Sequence, residues 1–245
     1  MVTHEAWLTK LFNAHFAAFA NWLLALFGQK ADNPAEPWAD FITMQLLVAA
    51  IILVLFLLLR SRLSVDKPGP LQHVFELIHN FISGEAEGQI GHDGHRHIVV
   101  FETLFIFILV ANLIGVIPGF VSPTQVIYVP VGCALIAFLY FNWVGIQKRG
   151  AFKYAAHFAG PVPWLAPLML PIEIISTLAR PMSLSVRLFA NMYAGEQVTI
   201  VFLGLTYLII PSVFMGLHVF VALLQAYIFM LLTMIYVAGA VAEEH

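Results

Sequence analysis

Apolar positions in this chain fall in long blocks, not in the short alternations of a soluble domain. Residues 42–59 run for 18 positions without a charge and end at Arg60 and Arg62, about the minimum length for a helix to cross a hydrocarbon core of ~30 Å. Further uncharged or nearly uncharged runs cover about 98–118, 126–146 and 213–240. Between the last two, residues 164–209 extend for 46 positions with no polar loop. One upright span needs about 20 residues, so this stretch holds either two spans or one long, strongly tilted helix. Pro181 is expected to break or kink it, and Pro211 to close it.

Two segments have mixed patterns. Residues 7–27 are apolar but interrupted by Lys10, Asn13, His15 and Asn21, which suits an interfacial helix at least as well as a span. They belong to a segment 1–41 that closes with GQKADNPAEPWAD, broken by Pro34 and Pro37. Within the polar connection 60–97, the string LQHVFELIHNFI places Leu71, Val74, Phe75, Ile78, Phe81 and Ile82 on one helical face. That predicts an amphipathic helix lying on the membrane surface or against a partner.

Composition supports this reading: 61% of the 245 residues are hydrophobic and only 10% charged, against about 25% charged in soluble domains. Mean hydropathy is +0.89. The fold class is therefore an all-α integral membrane protein, read here as a single domain over 1–245. The net charge of −3 and the lack of a basic stripe exclude a nucleic-acid partner. The single cysteine, Cys133, forms no internal disulfide and reads as a small buried hydrophobe. The N-terminal residues lack the basic region and cleavage site of a signal peptide, so none is expected to be removed.

Connections 60–97 and 147–161 share one side of the membrane and carry Arg60, Arg62, Lys67, Arg96, Lys148, Arg149 and Lys153. Lys and Arg concentrate on the cytoplasmic side, so both connections are expected there and the N-terminus outside. The C-terminus is inside if 164–209 crosses once and outside if it crosses twice.

Polar residues at membrane depth cost about 2.5–3.5 kcal/mol per charge and are functional by default. The candidates are Glu173, Arg180, Arg187, Asn191, Glu196, His218 and Gln225. Arg180, beside Pro181, reads as snorkelling to the interface. Asn191 and Gln225 have helix–helix hydrogen bonding as a competing role, and His218 a satisfied core position. Arg187 has the weakest structural alternative, because a guanidinium cannot shed its proton. Arg187 and Asn191 share a face at i, i+4, and so do His218 and Gln225 at i, i+7. Glu196 lies about 180° round the helix from Arg187 and about 13 Å further along. The string HDGHRH, with His92, His95 and His97 among glycines and no nearby cysteine, reads as a solvated loop, with no metal site.

SLSVRLFANMYAGE, residues 183–196, resembles the signature of the a subunit of rotary ATP synthases, the static half of the proton channel. TLFIFILVANLIGVIPG at 103–119 resembles that family's early span, PTQ at 123–125 its turn, and His218 and Gln225 its last helix. The resemblance covers roughly residues 60–240. It implies about five membrane-embedded helices, the last two, within 162–240, long and steeply tilted against a ring of c subunits. It also implies an inward C-terminus in a bacterial inner membrane. It implies Arg187 as the essential arginine, flanked by Asn191 and Gln225, with Glu196 and His218 relaying protons in one half-channel and Glu173 at a polar position further back. The partners implied are the c ring, the b-subunit peripheral stalk and the rest of the synthase. No cofactor is implied, and no catalytic centre of the chain's own. The chain departs from the family after Pro123-Thr124, where Asn or Asp and then Thr are usual, and at Glu102, where an apolar residue is expected.

A self-contained ion channel or secondary transporter is the alternative, but the internal repeats common in that class are not found. An intramembrane enzyme lacks its motifs: there is no His-Glu-x-x-His, no Gly-x-Ser-x-Gly and no Asp pair in the spans.

Overall fold

The computed structural model describes residues 6–26, 28–31, 33–64, 67–117, 119–150, 154, 166–205 and 209–241. The described residues form seven α-helices: α1 (Trp7–Leu26), α2 (Asp40–Ser61), α3 (Pro70–Ile90), α4 (Ile98–Ile114), α5 (Tyr128–Arg149), α6 (Ala166–Leu205) and α7 (Ile209–Val241). Short 3-10 segments at His92–His97 and Pro123–Gln125 join α3 to α4 and α4 to α5. Among the described residues four stretches are long and apolar enough to cross a membrane: Asp40–Ser61, His92–Ile114, Tyr128–Arg149 and Pro211–Val241. The chain is an all-α integral membrane protein. Most of the connection expected at 147–161, the N-terminal residues 1–5 and the C-terminal residues 242–245 lie outside the described residues.

The stretch expected to hold either two spans or one helix is one helix, and Pro181 does not break it. α6 runs for 40 residues through both Pro171 and Pro181. At 1.5 Å per residue it is about 60 Å long, about twice the hydrocarbon thickness. Pro211 does not stand between elements either. It sits in the first turn of α7, where a missing N–H leaves no bond unmade.

α7 is the centre of the bundle, packed against α4, α5, α6 and α3, with α2 against α4 and α1 against α2. Phe101 and Ile108 of α4, Phe141 of α5, Leu188 and Met192 of α6, and Phe229, Met230 and Met234 of α7 meet in one core. Many large apolar side chains remain exposed on the outer faces, among them Leu53, Leu57, Leu139, Trp143 and Phe220, as expected of surface that meets lipid.

The polar residues interrupting α1 hold the chain that follows it. The Asn13 side chain donates to the Trp38 carbonyl and accepts from the Trp38 N–H. Asn21 donates to the Pro34 carbonyl, and Thr9 bonds Thr43 of α2 at 2.7 Å.

The apolar face predicted for α3 divides. Ile82 and Ala86 are buried, and Phe75 and Ile78 pack on the core. Leu71, Val74, Leu77 and Phe81 are exposed. α3 therefore docks on α4 and α7 of its own chain and turns a second apolar stripe outward. The HDGHRH string forms a 3-10 segment instead of an open loop. Gly94 brings it against the α3 backbone so closely that an added Cβ would stand 2.6 Å from the Ala86 carbonyl oxygen.

Candidate functional site

Three polar positions follow one another along α6. Near its start, Glu173, Thr177 and Arg180 lie at i, i+4 and i+7, hence on one face. They line a cavity of about 90 Å³ together with Phe141, Arg149 and Tyr154, and with Gly239 and Ala240 of α7. Arg180, read from the sequence as snorkelling to the interface, is half-buried. Its guanidinium lies over the Tyr236 ring at 5.3 Å and near the Phe141 ring at 6.0 Å, contacts of cation–π type. Those rings flank the charge where α5, α6 and α7 meet.

Arg187 stands about 21 Å further along, fourteen residues past Glu173 at 1.5 Å each. Leu184, Leu188 and Met192 turn inward and are fully or almost fully buried. Arg187 and Asn191, at the edge of that stripe, are exposed. Ser183, Ala190 and Ala194 are exposed beside them, small residues of the kind that let another helix approach closely. Among the described residues no carboxylate forms an ion pair with Arg187.

The third position is Glu196, half-buried and about 13 Å beyond Arg187. Its neighbour Gly195 faces His218 of α7: an added Cβ would stand 3.2 Å from the ring Nδ1 and 3.3 Å from Cε1. The lack of a side chain at Gly195 is what admits the imidazole between the helices, next to Glu196 in sequence. His218 is buried, and among the described residues its Nε2 has no hydrogen-bond partner. Gln225 is buried too, on the α7 face formed by His218, Ala222, Gln225 and Phe229. Asn191 and Gln225, both expected beside Arg187, thus differ in setting, one exposed on α6 and one buried on α7.

A buried polar network next to this region was not singled out from the sequence. Asn112 of α4 donates to the Ala222 carbonyl of α7 at 3.2 Å and accepts from Thr124 at 2.6 Å. Ser122 bonds both Thr124 and the Ala111 carbonyl. The available signal was an asparagine within an apolar run followed by a Ser-Pro-Thr turn. This network ends at Thr124, just before the chain departs from the family pattern. Glu102, the other departure, pairs with His79 of α3 and so ties the docked amphipathic helix to α4.

The three histidines of the 3-10 segment diverge. His97 bonds the Tyr140 hydroxyl at 2.7 Å, and His95 faces Ser83 at 3.4 Å. His92 is exposed.

Known proteins resemble this chain over most of its length. The sequence model of the family described as ATP synthase A chain matches residues 42–238. The chain is 64% identical over 235 residues to the ATP synthase subunit a of Solibacter usitatus, covering 96% of this chain and all of that one. It is 42% identical over 242 residues to that of Koribacter versatilis, covering 99% of each. With the subunit a of Geobacter sulfurreducens it shares 41% identity over 211 residues, covering 86% of this chain and 91% of the other. A long helix with Arg187 between two polar regions, in a chain matched almost end to end, belongs to the ATP synthase A chain family.

Proposed function

We propose that this chain is the non-catalytic stator of the synthase's proton motor, offering two half-channels to a ring of c subunits. The observation that carries the reading is Arg187: a permanent cation on the outward face of a membrane-embedded helix, flanked by small residues, with a polar region on either side along the helix. A partner that brings carboxylates past that face supplies the missing counter-charge. Glu173, Thr177 and Arg180 border the half-channel at the basic, cytoplasmic end. Glu196 and His218 border the other, with Asn191 and Gln225 on the flanks.

The chemistry follows from the cost of charge in lipid. A ring carboxylate crosses the lipid face neutral, because a bare charge there is expensive. Next to Arg187 its charged form is favoured, so it releases its proton to one half-channel and takes another from the opposite one. Arg187 also repels protons from the direct route. Each proton brings about 2.3 kcal/mol per 100 mV. For α6 and α7 to cross once, their lengths require steep inclination, which leaves the N-terminus outside and the C-terminus inside.

The test is to assemble Arg187→Lys and Arg187→Ala into the complete synthase and measure ATP synthesis under an imposed proton gradient, with passive proton flux in the same vesicles. Lysine loses its proton when desolvated and lacks the planar fork of donors, so both variants should fail to synthesise ATP and the alanine variant should leak. Full synthesis by the alanine variant would sink the assignment. Proton conduction by the chain reconstituted without a ring would favour a self-contained channel instead.

A further inference from the structure

The basic end of the bundle holds a second, larger cavity outside the polar line of α6. It measures about 470 Å³ and lies between the 3-10 segment, the last turns of α5 and the end of α7. Its polar lining is Asp93, Arg96, His97, Tyr140, Gln147 and Lys148. The Lys148 ammonium bonds the Asp93 carboxylate at 3.2 Å, and the Arg96 guanidinium stands 3.9 Å from it. One carboxylate thus fixes two cations at the rim without neutralising both. With His97 neutral the group carries a net charge of +1, two cations less one anion.

An exposed apolar face of α5 begins at the cavity. Trp143 lines it and is 67% exposed, and on the same face of α5 lie Leu135, Ile136, Leu139 and Ile146, each between 41% and 65% exposed. A tryptophan at a helix end beside Lys148 is an interfacial anchor, and the residues toward the middle of α5 are at acyl-chain depth. Cation pockets between membrane helices on the cytoplasmic side are suited to anionic headgroups. A soluble anion would use only the cations. A lipid uses the cations and the apolar face together.

We propose that this cavity seats the phosphodiester headgroup of an anionic phospholipid whose acyl chains descend along Leu139 and Ile136 of α5. Arg96 and Lys148 bind the two non-bridging phosphate oxygens, the arginine with its planar fork, and Gln147 donates to one of them. The Trp143 ring covers the glycerol region.

The test uses the assembled synthase in vesicles containing phosphatidylglycerol or phosphatidylcholine, each with a photoreactive group in one acyl chain. Cross-linked peptides are mapped by mass spectrometry, and subunit content is quantified in every sample. Phosphatidylglycerol should label residues 135–146 in preference to phosphatidylcholine. Arg96→Gln and Lys148→Gln should each lower that preference about fivefold, the effect of about one basic residue at the surface. Asp93→Asn removes the competing carboxylate and should raise it. Equal labelling by the two lipids, absence of label from α5, or a preference unchanged in both cation variants would overturn the proposal. Loss of the preference on adding inorganic phosphate alone would assign a simple anion site and overturn the lipid.

Discussion

Gly195→Ala tests how closely α6 and α7 must meet at the proposed outer half-channel. The added Cβ would stand 3.2 Å from Nδ1 and 3.3 Å from Cε1 of His218. Unstrained carbon contacts lie at about 3.5–4.0 Å, so the ring must retreat by roughly 0.3–0.5 Å or the helices must part by as much. Overpacking costs about 1–3 kcal/mol, while replacing glycine by alanine in a helix returns about 1 kcal/mol. Folding and assembly should therefore change little. Proton transfer is more sensitive, since a displacement of about 1 Å can lower a rate about 100-fold. A shift of roughly 0.3–0.5 Å then lowers it about 4- to 10-fold on the same scale. The assay is ATP-driven acidification of inverted vesicles, followed with a pH-sensitive dye and normalised to assembled complex. Gly216→Ala is the matched control: it is two residues from His218, and an added Cβ there meets nothing within 4 Å. It should pump normally. Normal pumping by Gly195→Ala, at equal assembly, would mean that the placing of His218 against α6 does not limit proton movement.

Exchanging the two titratable groups, Glu196→His with His218→Glu, should retain more ATP-driven pumping than either single change, and equal loss in all three would argue against direct coupling. Asn112→Ala removes one member of the network joining α4, the Pro123 turn and α7; leaving buried partners unpaired should destabilise the chain by about 1–3 kcal/mol, read as a lower Tm of the purified complex. Gly94→Ala meets the backbone of α3 and not a flexible side chain, so it should loosen the joint between α3 and α4 and increase proteolysis between residues 90 and 98. A cysteine at Asn80, exposed on α3, should react with a membrane-impermeant reagent from the cytoplasmic side; reaction only from outside would reverse the proposed topology.

Much of the molecule was legible in the sequence for a local reason. Burying backbone in lipid demands helices, so each long apolar block had to be one, and the bounds of α2, α4, α5 and α7 follow those blocks within a few residues. The charged positions were legible too, because a guanidinium at depth has no ordinary structural excuse. Pro181 was misleading. Proline normally ends helices, yet α6 passes through it, and the need to keep backbone bonded in a hydrophobic setting outweighs one lost bond.

Which way each residue faces was settled only by the other helices. In water, the apolar stripe of a helix marks its buried side. In lipid, the outer face is as apolar as the core, so pattern alone does not separate them. Thus Arg180 lies against Tyr236 and Phe141 while Arg187, seven residues on and on nearly the same face, is left exposed. α3 divides its apolar face between the bundle and the surroundings, and Glu102 meets His79 across two elements. The Asn112–Thr124–Ser122 network joins residues that are separate in sequence to the α7 backbone. The sequence by itself determined that the chain lies in a membrane, where its helices run and which residues carry charge. Tertiary packing decided which of those charges the bundle encloses and which it presents, because that depends on the neighbouring helices and not on local periodicity.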